Sequence, residues 1–243
     1  MKKNGSPPIP AYYRLQTTIL EDIEKGRWKP GEGIPTERSL AELHSVSIGT
    51  VKKALLNLVH EGYLYRIQGK GTYVAGTTLR KESLRYYRLL ESFGDNEAEL
   101  EVKVLNFEIV NGFKPANTFL GITLTQKLYE LKRVFSKDGK PVVYNVSYLP
   151  IKMFKGLTDL PESLFEKVTL YRVLEKNYGF PTIYNHELFD AVAAEKEVAG
   201  VLGIRKGSPV LYMEMLSFTY KDKPYEYRQS YFSCDKRRVF RET

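Results

Sequence analysis

Two hydrophobic rhythms divide the chain. Up to about residue 75, apolar positions recur every three or four residues, the period of a helix with one covered face. From Val102 onward they alternate with polar positions, as in sheets with one face packed and one wet. Tyr12, Leu15, Ile19 and Ile23 predict a first helix that stops at Gly26. After the turn chemistry of Pro30-Gly31, Thr36 is placed to cap a short second helix from Glu37 to His44. Ser47 caps a third, whose stripe of Val51, Ala54, Leu55, Leu58 and Val59 faces a core and ends near Gly62. "YLYRI" and "TYVA" then read as two strands around "QGKG", a glycine-rich hairpin carrying Lys70.

The alternating part contains six strand-like runs: "VKVLNFEIV", "KLYELKRVFS", "PVVYNVSYLP", "TIYNHELFDAV", "PVLYMEMLSFTY" and "PYEYRQSYF". "KDGK" before Pro141 is a hairpin turn, and Lys221 to Lys223 predicts another. "KPANTFLGI", "TLYRVLEKNYGF" and "AAEKEVAGVLGI" each read as a short helix ending at glycine. The expectation is an α+β chain: a winged helix-turn-helix over 8–76, a linker over 77–97 that can hold a helix, and an antiparallel sheet domain with peripheral helices over 98–243.

Composition narrows the class. The 243 residues carry a formal charge of +8, which suits a phosphate-rich partner without demanding one. Residues 1–76 hold 11 Lys+Arg against 7 Asp+Glu, and the longer remainder 26 against 22, so the positive excess is denser at the front. Cys234 is the single cysteine, which rules out an intrachain disulfide. "MKKNGSPPIPAYY" has no apolar run behind its lysines, and no stretch reaches the roughly 20 residues of a membrane span. The expected location is the cytoplasm, and the Asn145-Val146-Ser147 sequon is a chance match there.

In a winged helix-turn-helix the second helix of the pair enters the major groove, while flanking groups hold phosphates. The stretch "GRWKPGEGIPTERSLAELHSVSIGTVKKALLNLVHEGYLYRIQGKGTYV" resembles the N-terminal domain of GntR-family bacterial transcription regulators, with "KPG", "PTER", "VS..TV..AL", "EG" and "GKGTYV" in order at the family's spacing. The resemblance implies a DNA contact for Arg38, capping and backbone contacts for Ser47 and Thr50, and a DNA contact for Lys52 in place of a family arginine. Gln68, Gly69 and Lys70 match a wing tip that reaches the minor groove. Gly49 and Lys53 share the outward face of the third helix with Lys52.

Ile48 departs from the family, which commonly has a guanine-reading arginine there. It lies about 60° from the centre of the apolar stripe at about 100° per residue, so one reading tucks it against the core. The other offers it to a thymine methyl group. Either way phosphate contacts preserve binding while sequence preference changes.

From "LKRVFSKDGKPVVYNVSYLP" through "TLYRVLEKNYGF" to "AVAAEKEVAGVLGIRKGSPVLYMEMLSFTYKDKPYEYRQSYF", the chain resembles the UTRA ligand-sensing domain of the HutC subfamily, of chorismate-lyase-like fold. The family's Arg-x-Arg is Arg133-Val134-Phe135 here, and a family glutamate that can hold sugar hydroxyls corresponds to Asn145. Ser147 lies two residues further along the same strand. Thr169 and Tyr171 match a helix start whose N–H groups favour an anion. Glu226 matches an acidic position, with Arg228 on the same strand face. Each also has a plain structural reading: Arg133 and Glu226 as an ion pair, Phe135 as core. Losing an arginine and a carboxylate together argues against a sugar phosphate.

An enzyme is the weaker alternative. His44, His60 and His186 are the only histidines, "HELFD" lacks a second histidine for zinc, "GKGT" lacks the spacing of a phosphate loop, and no G-x-S-x-G turn exists. No cofactor or metal is expected. The expected partners are double-stranded operator DNA, a small-molecule effector and a second copy of the chain, in a homodimeric repressor. A dimeric DNA-binding protein whose second domain only dimerises is the remaining alternative.

Overall fold

The computed structural model describes residues 10–76, 88–90, 100–167, 169–233 and 238–240. The chain divides into two compact units, with the boundary between residues 79 and 80.

In the first unit, α1 (Ala11–Glu24) buries Leu15, Ile19 and Ile23, and Gly26 takes the left-handed conformation that ends it. Thr36 accepts a hydrogen bond from the Ser39 N–H and starts α2 (Glu37–Leu43). Ser47 does the same for the Thr50 N–H and starts α3 (Ile48–His60), whose Val51, Ala54, Leu55 and Leu58 are buried. A polar clamp fastens α1 to α3: Gln16 donates to the Glu61 carboxylate at 2.8 Å and accepts from Asn57 at 3.2 Å. The hairpin of β1 (Leu64–Ile67) and β2 (Gly71–Val74) gains a third rung that the apolar pattern did not reveal. The stretch from Gly31 to Ile34 lies antiparallel to β2, exchanging hydrogen bonds with Thr72 and Val74.

The second unit is built on a six-stranded antiparallel sheet. Its strands are β4 (Glu101–Val110), β5 (Leu128–Lys137), β6 (Lys140–Pro150), β7 (Tyr184–Ala193), β8 (Pro209–Thr219) and β9 (Lys223–Phe232), in the order β4-β5-β6-β9-β8-β7. The turn between β5 and β6 places Asp138 and Gly139 at positive φ, as a tight hairpin requires. Helices cover both faces. On one, α5 (Ser163–Lys167) and α6 (Leu170–Tyr178) pack Phe165, Leu170, Tyr171 and Leu174 against Leu131, Val143, Leu149, Met213 and Met215. On the other, α4 (Ala116–Phe119) and α7 (Lys196–Leu202) cover Tyr144, Val146, Tyr148 and Tyr227.

Two elements differ from the sequence expectation. The apolar pattern around Phe165 was too short to announce α5. Residues 88–90, placed in a linker able to hold a helix, form strand β3 (Arg88–Leu90) paired antiparallel with β10 (Arg238–Phe240). A three-residue strand depends on a partner about 150 positions away, which no local pattern encodes. The remainder of that linker, and Cys234, lie outside the described residues.

Candidate functional site

The first candidate site is the N-terminal turn of α3 with the hairpin tip. The helix pair is joined by a turn in which Ser45 sits at φ 51° and the Val46 N–H bonds back to Ala41. That turn leaves the start of α3 exposed. Ile48 is 47% exposed, so the reading that tucks it into the core is wrong. At the first helical position the side chain projects beyond the stripe that Val51 and Leu55 bury. Gly49, Lys52 and Lys53 are exposed beside it.

Lys53 is not free to point outward, because its Nζ lies 4.1 Å from the centre of the Tyr12 ring on α1. Such cation–π contacts hold the ammonium against the protein. Ser47 and Thr50 bond to each other at 2.9 Å as well as closing the cap, so their hydroxyls are ordered before any ligand arrives. Arg38 pairs with Glu42 one helical turn on, at 3.2 Å and in full solvent. An exposed pair of this kind contributes at most about 1 kcal/mol and is readily exchanged for a phosphate. Gln68, Gly69 and Lys70 stand exposed at the hairpin tip, where Gly69 takes the left-handed turn position. Arg66, on β1, pairs with Glu37 of α2 at 3.0 Å, a contact between distant elements that no local sequence pattern announces.

The second candidate site is the sheet face beneath α5 and α6. Register places Arg133 opposite Asn145, Asn145 opposite Ser230 and Ser230 opposite Met213. The adjacent row runs from Ser147 through Arg228 to Met215. Every one of these polar residues is buried. Arg228 donates to Glu226 from both Nε (2.8 Å) and its terminal nitrogen (2.7 Å), donates to Ser147 at 3.2 Å, and lies 5.1 Å from the Tyr171 ring. The Ser217 hydroxyl donates to the second oxygen of Glu226 at 3.4 Å.

The ion pair proposed between Arg133 and Glu226 therefore does not form. Glu226 is taken by Arg228, two residues along its own strand, while Arg133 lies two strands away on β5. There Arg133 donates to the Phe165 carbonyl at 3.4 Å and lies 5.4 Å from the Phe135 ring. Phe135 belongs to the same apolar cluster as Tyr171. Thr169 caps α6, accepting from the Arg172 N–H at 3.2 Å. Ser230 was missed. The signal for it was the alternation Glu226, Arg228, Ser230 along β9, which puts all three on one face.

An exposed, capped reading helix in one unit and a polar floor under helices in the other define a transcription regulator with separate DNA-binding and sensing parts. The chain belongs to the GntR family of bacterial regulatory proteins. That family's model matches residues 11–74, and the UTRA domain model matches residues 96–238. The chain is 33% identical to the HTH-type transcriptional regulator YurK of Bacillus subtilis, covering 92% of this chain and 91% of that one. It is 27% identical to the HTH-type transcriptional repressor NagR of the same organism, covering 97% and 96%. Among solved structures, the ligand-binding domain of a GntR-family regulator from Bordetella bronchiseptica superposes with a TM-score of 0.60 at 25% identity, covering 65% of this chain and 98% of that one.

Proposed function

We propose that this regulator is a homodimeric repressor that leaves its operator when a small metabolite binds the unit spanning 98–243. The observation that carries the reading is the pairing of an exposed α3 start with a buried polar sheet face, on a chain related over nearly its whole length to a repressor. In this reading Arg38, Lys52 and Lys70 hold phosphates. Ser47 and Thr50 orient the backbone at the start of α3, and Gln68 and Gly69 enter the minor groove. Ile48 presents its methyl groups to a thymine, and Gly49 lets the duplex approach.

Two such modules match the halves of a palindromic operator, since half-site symmetry mirrors protein symmetry. The edge strand β7 exposes Leu188 on one face of the sheet and Phe189 on the other, 68% and 45% exposed, as apolar positions for a second copy that pairs along this edge. Effector binding needs only to favour an arrangement of the two modules that no longer fits the half-site spacing. Arg133, Asn145, Ser147, Tyr171, Glu226 and Arg228 line the effector site, with Phe135 as a wall and Thr169 at the start of α6.

The test is to select genomic fragments bound by the purified full-length protein, then add metabolites to the complex. A recovered palindrome whose complex dissociates with one metabolite is the expected result. Binding no tighter than to random duplex at moderate salt removes the reading.

A further inference from the structure

Arg66 is a cation held where the hairpin meets the helix pair. It follows Leu64 by two residues on β1, so both side chains lie on the side of the hairpin where Leu64 is buried. Unlike Leu64, the Arg66 side chain is 44% exposed. The opposite side of the hairpin carries the cross-strand pair Tyr65 and Tyr73, with ring centres 5.5 Å apart. Arg66 donates through one terminal nitrogen to Glu37, the first residue of α2, at 3.0 Å. A guanidinium has five N–H groups. The others on Arg66 have no hydrogen-bond partner among the described residues.

The position of Arg66 decides what those groups meet. Glu37 immediately precedes Arg38, whose side chain is 84% exposed, and Gln68 at the hairpin tip lies two residues beyond Arg66. A duplex strand that touches both Arg38 and the hairpin tip therefore has Arg66 between its contacts. An ion pair this exposed adds little to stability, so the fold gives weak reason for an arginine here. The planar fork of arginine suits a carboxylate and a phosphate equally, and it stays charged at any working pH.

We propose that Arg66 is a further phosphate contact of the DNA-binding surface, sharing its guanidinium between Glu37 and one backbone phosphate. The inference rests on the reading that α2, α3 and the hairpin hold duplex DNA. Phosphates carry no sequence information, so Arg66 adds affinity and salt dependence without altering which operator is chosen. Glu37 holds the fork in place before DNA arrives and touches no DNA itself.

The test uses the full-length protein and a random-sequence duplex, with affinity read by fluorescence anisotropy between about 0.05 and about 0.2 M salt. Arg66→Ala should lower the slope of log affinity against log salt by about 0.9. It should also weaken binding roughly eightfold at about 0.1 M, the counterion release of one contact. Arg66→Lys keeps the charge and should keep the slope. Glu37→Gln removes the ion pair and should bind no weaker than the parent, since it takes an anion from beside a phosphate. On a duplex selected from the genome, Arg66→Ala should lose the same factor, with the selected motif unchanged. Its melting temperature should stay within about two degrees of the parent's.

An unchanged slope in Arg66→Ala overturns the proposal. So does a Glu37→Gln protein that binds as weakly as Arg66→Ala, because the pair then matters as a tie between hairpin and helix. A slope lost in Arg66→Lys, an altered motif, or an Arg66→Ala protein melting several degrees lower also overturns it. In each of these cases a parent that binds duplex keeps the DNA-binding reading. A parent that binds no duplex removes both.

Discussion

At the scale of single residues, the start of α3 joins stability and function with opposite signs. Gly49 has ordinary helical backbone, and a Cβ built there meets nothing closer than Ser47 Oγ at 3.7 Å. Folding alone therefore gives no reason for a glycine in a helix, where it costs up to about 1 kcal/mol relative to alanine. Gly49→Ala is expected to raise the melting temperature of the first unit while weakening operator binding at least tenfold, measured by calorimetry and by fluorescence anisotropy. A loss of both would mean that the glycine serves the fold. Ile48→Arg places a bidentate donor at an exposed position and should move base preference toward guanine at one operator position, by about 1–3 kcal/mol of discrimination. Selection from a random duplex pool reads the outcome directly, and an unchanged motif would mean that Ile48 does not face a base.

At the scale of elements, two features of the sheet unit lend themselves to measurement. The loop between β4 and β5 is organised by Asn117, fully buried, which accepts from the Phe113 N–H at 3.0 Å and donates to the Thr123 and Gln126 carbonyls at 2.7 and 2.9 Å. Gly112 packs so closely on it that an added Cβ would lie 2.5 Å from Asn117 Nδ2. Asn117→Ala removes three side-chain hydrogen bonds to the loop backbone, one of them the partner of the Phe113 N–H, and should destabilise this unit by roughly 2–3 kcal/mol, seen as a lower denaturant midpoint.

On the sheet face toward α4 and α7, Tyr144, Tyr148, Tyr212, Tyr227 and Tyr231 cluster with Glu130, Glu197 and Glu214. Burial, aided by the nearby negative charge, holds all five phenols above their ordinary range, with Tyr231 pushed up to about 12. A group whose folded pKa is raised contributes stability in full below its unfolded value, here 10.0, and loses it as pH climbs through the folded one. Stability should therefore fall from pH 10 upward. Absorbance titration should show a class of phenols that ionise only as the protein opens.

At the scale of the molecule, the dense positive excess of the first seventy-six residues and the exposed cations on α2, α3 and the hairpin predict binding that weakens steeply with salt. Each phosphate contact adds about 0.9 to the slope of log affinity against log salt on duplex DNA. Arg38→Ala should reduce that slope by about one while leaving thermal stability almost unchanged, since its pairing with Glu42 is fully in solvent. An unaltered slope would show that Arg38 touches no phosphate.

The sequence by itself determined what nearest neighbours settle. Thr36 and Ser47 announced their helices because a cap is a contact three residues long. Gly26, Gly62 and Asp138-Gly139 announced turns because few residue types accept positive φ. The six main strands followed from alternation, and the family resemblance supplied the candidate site residues. Tertiary structure decided everything that depended on distant partners: the exposure of Ile48, the hold of Tyr12 on Lys53, the joining of β3 to β10, and the capture of Glu226 by Arg228 rather than Arg133. Periodicity says which face a residue occupies. Only cross-strand register says whom it meets there, and it set Asn145 opposite Ser230.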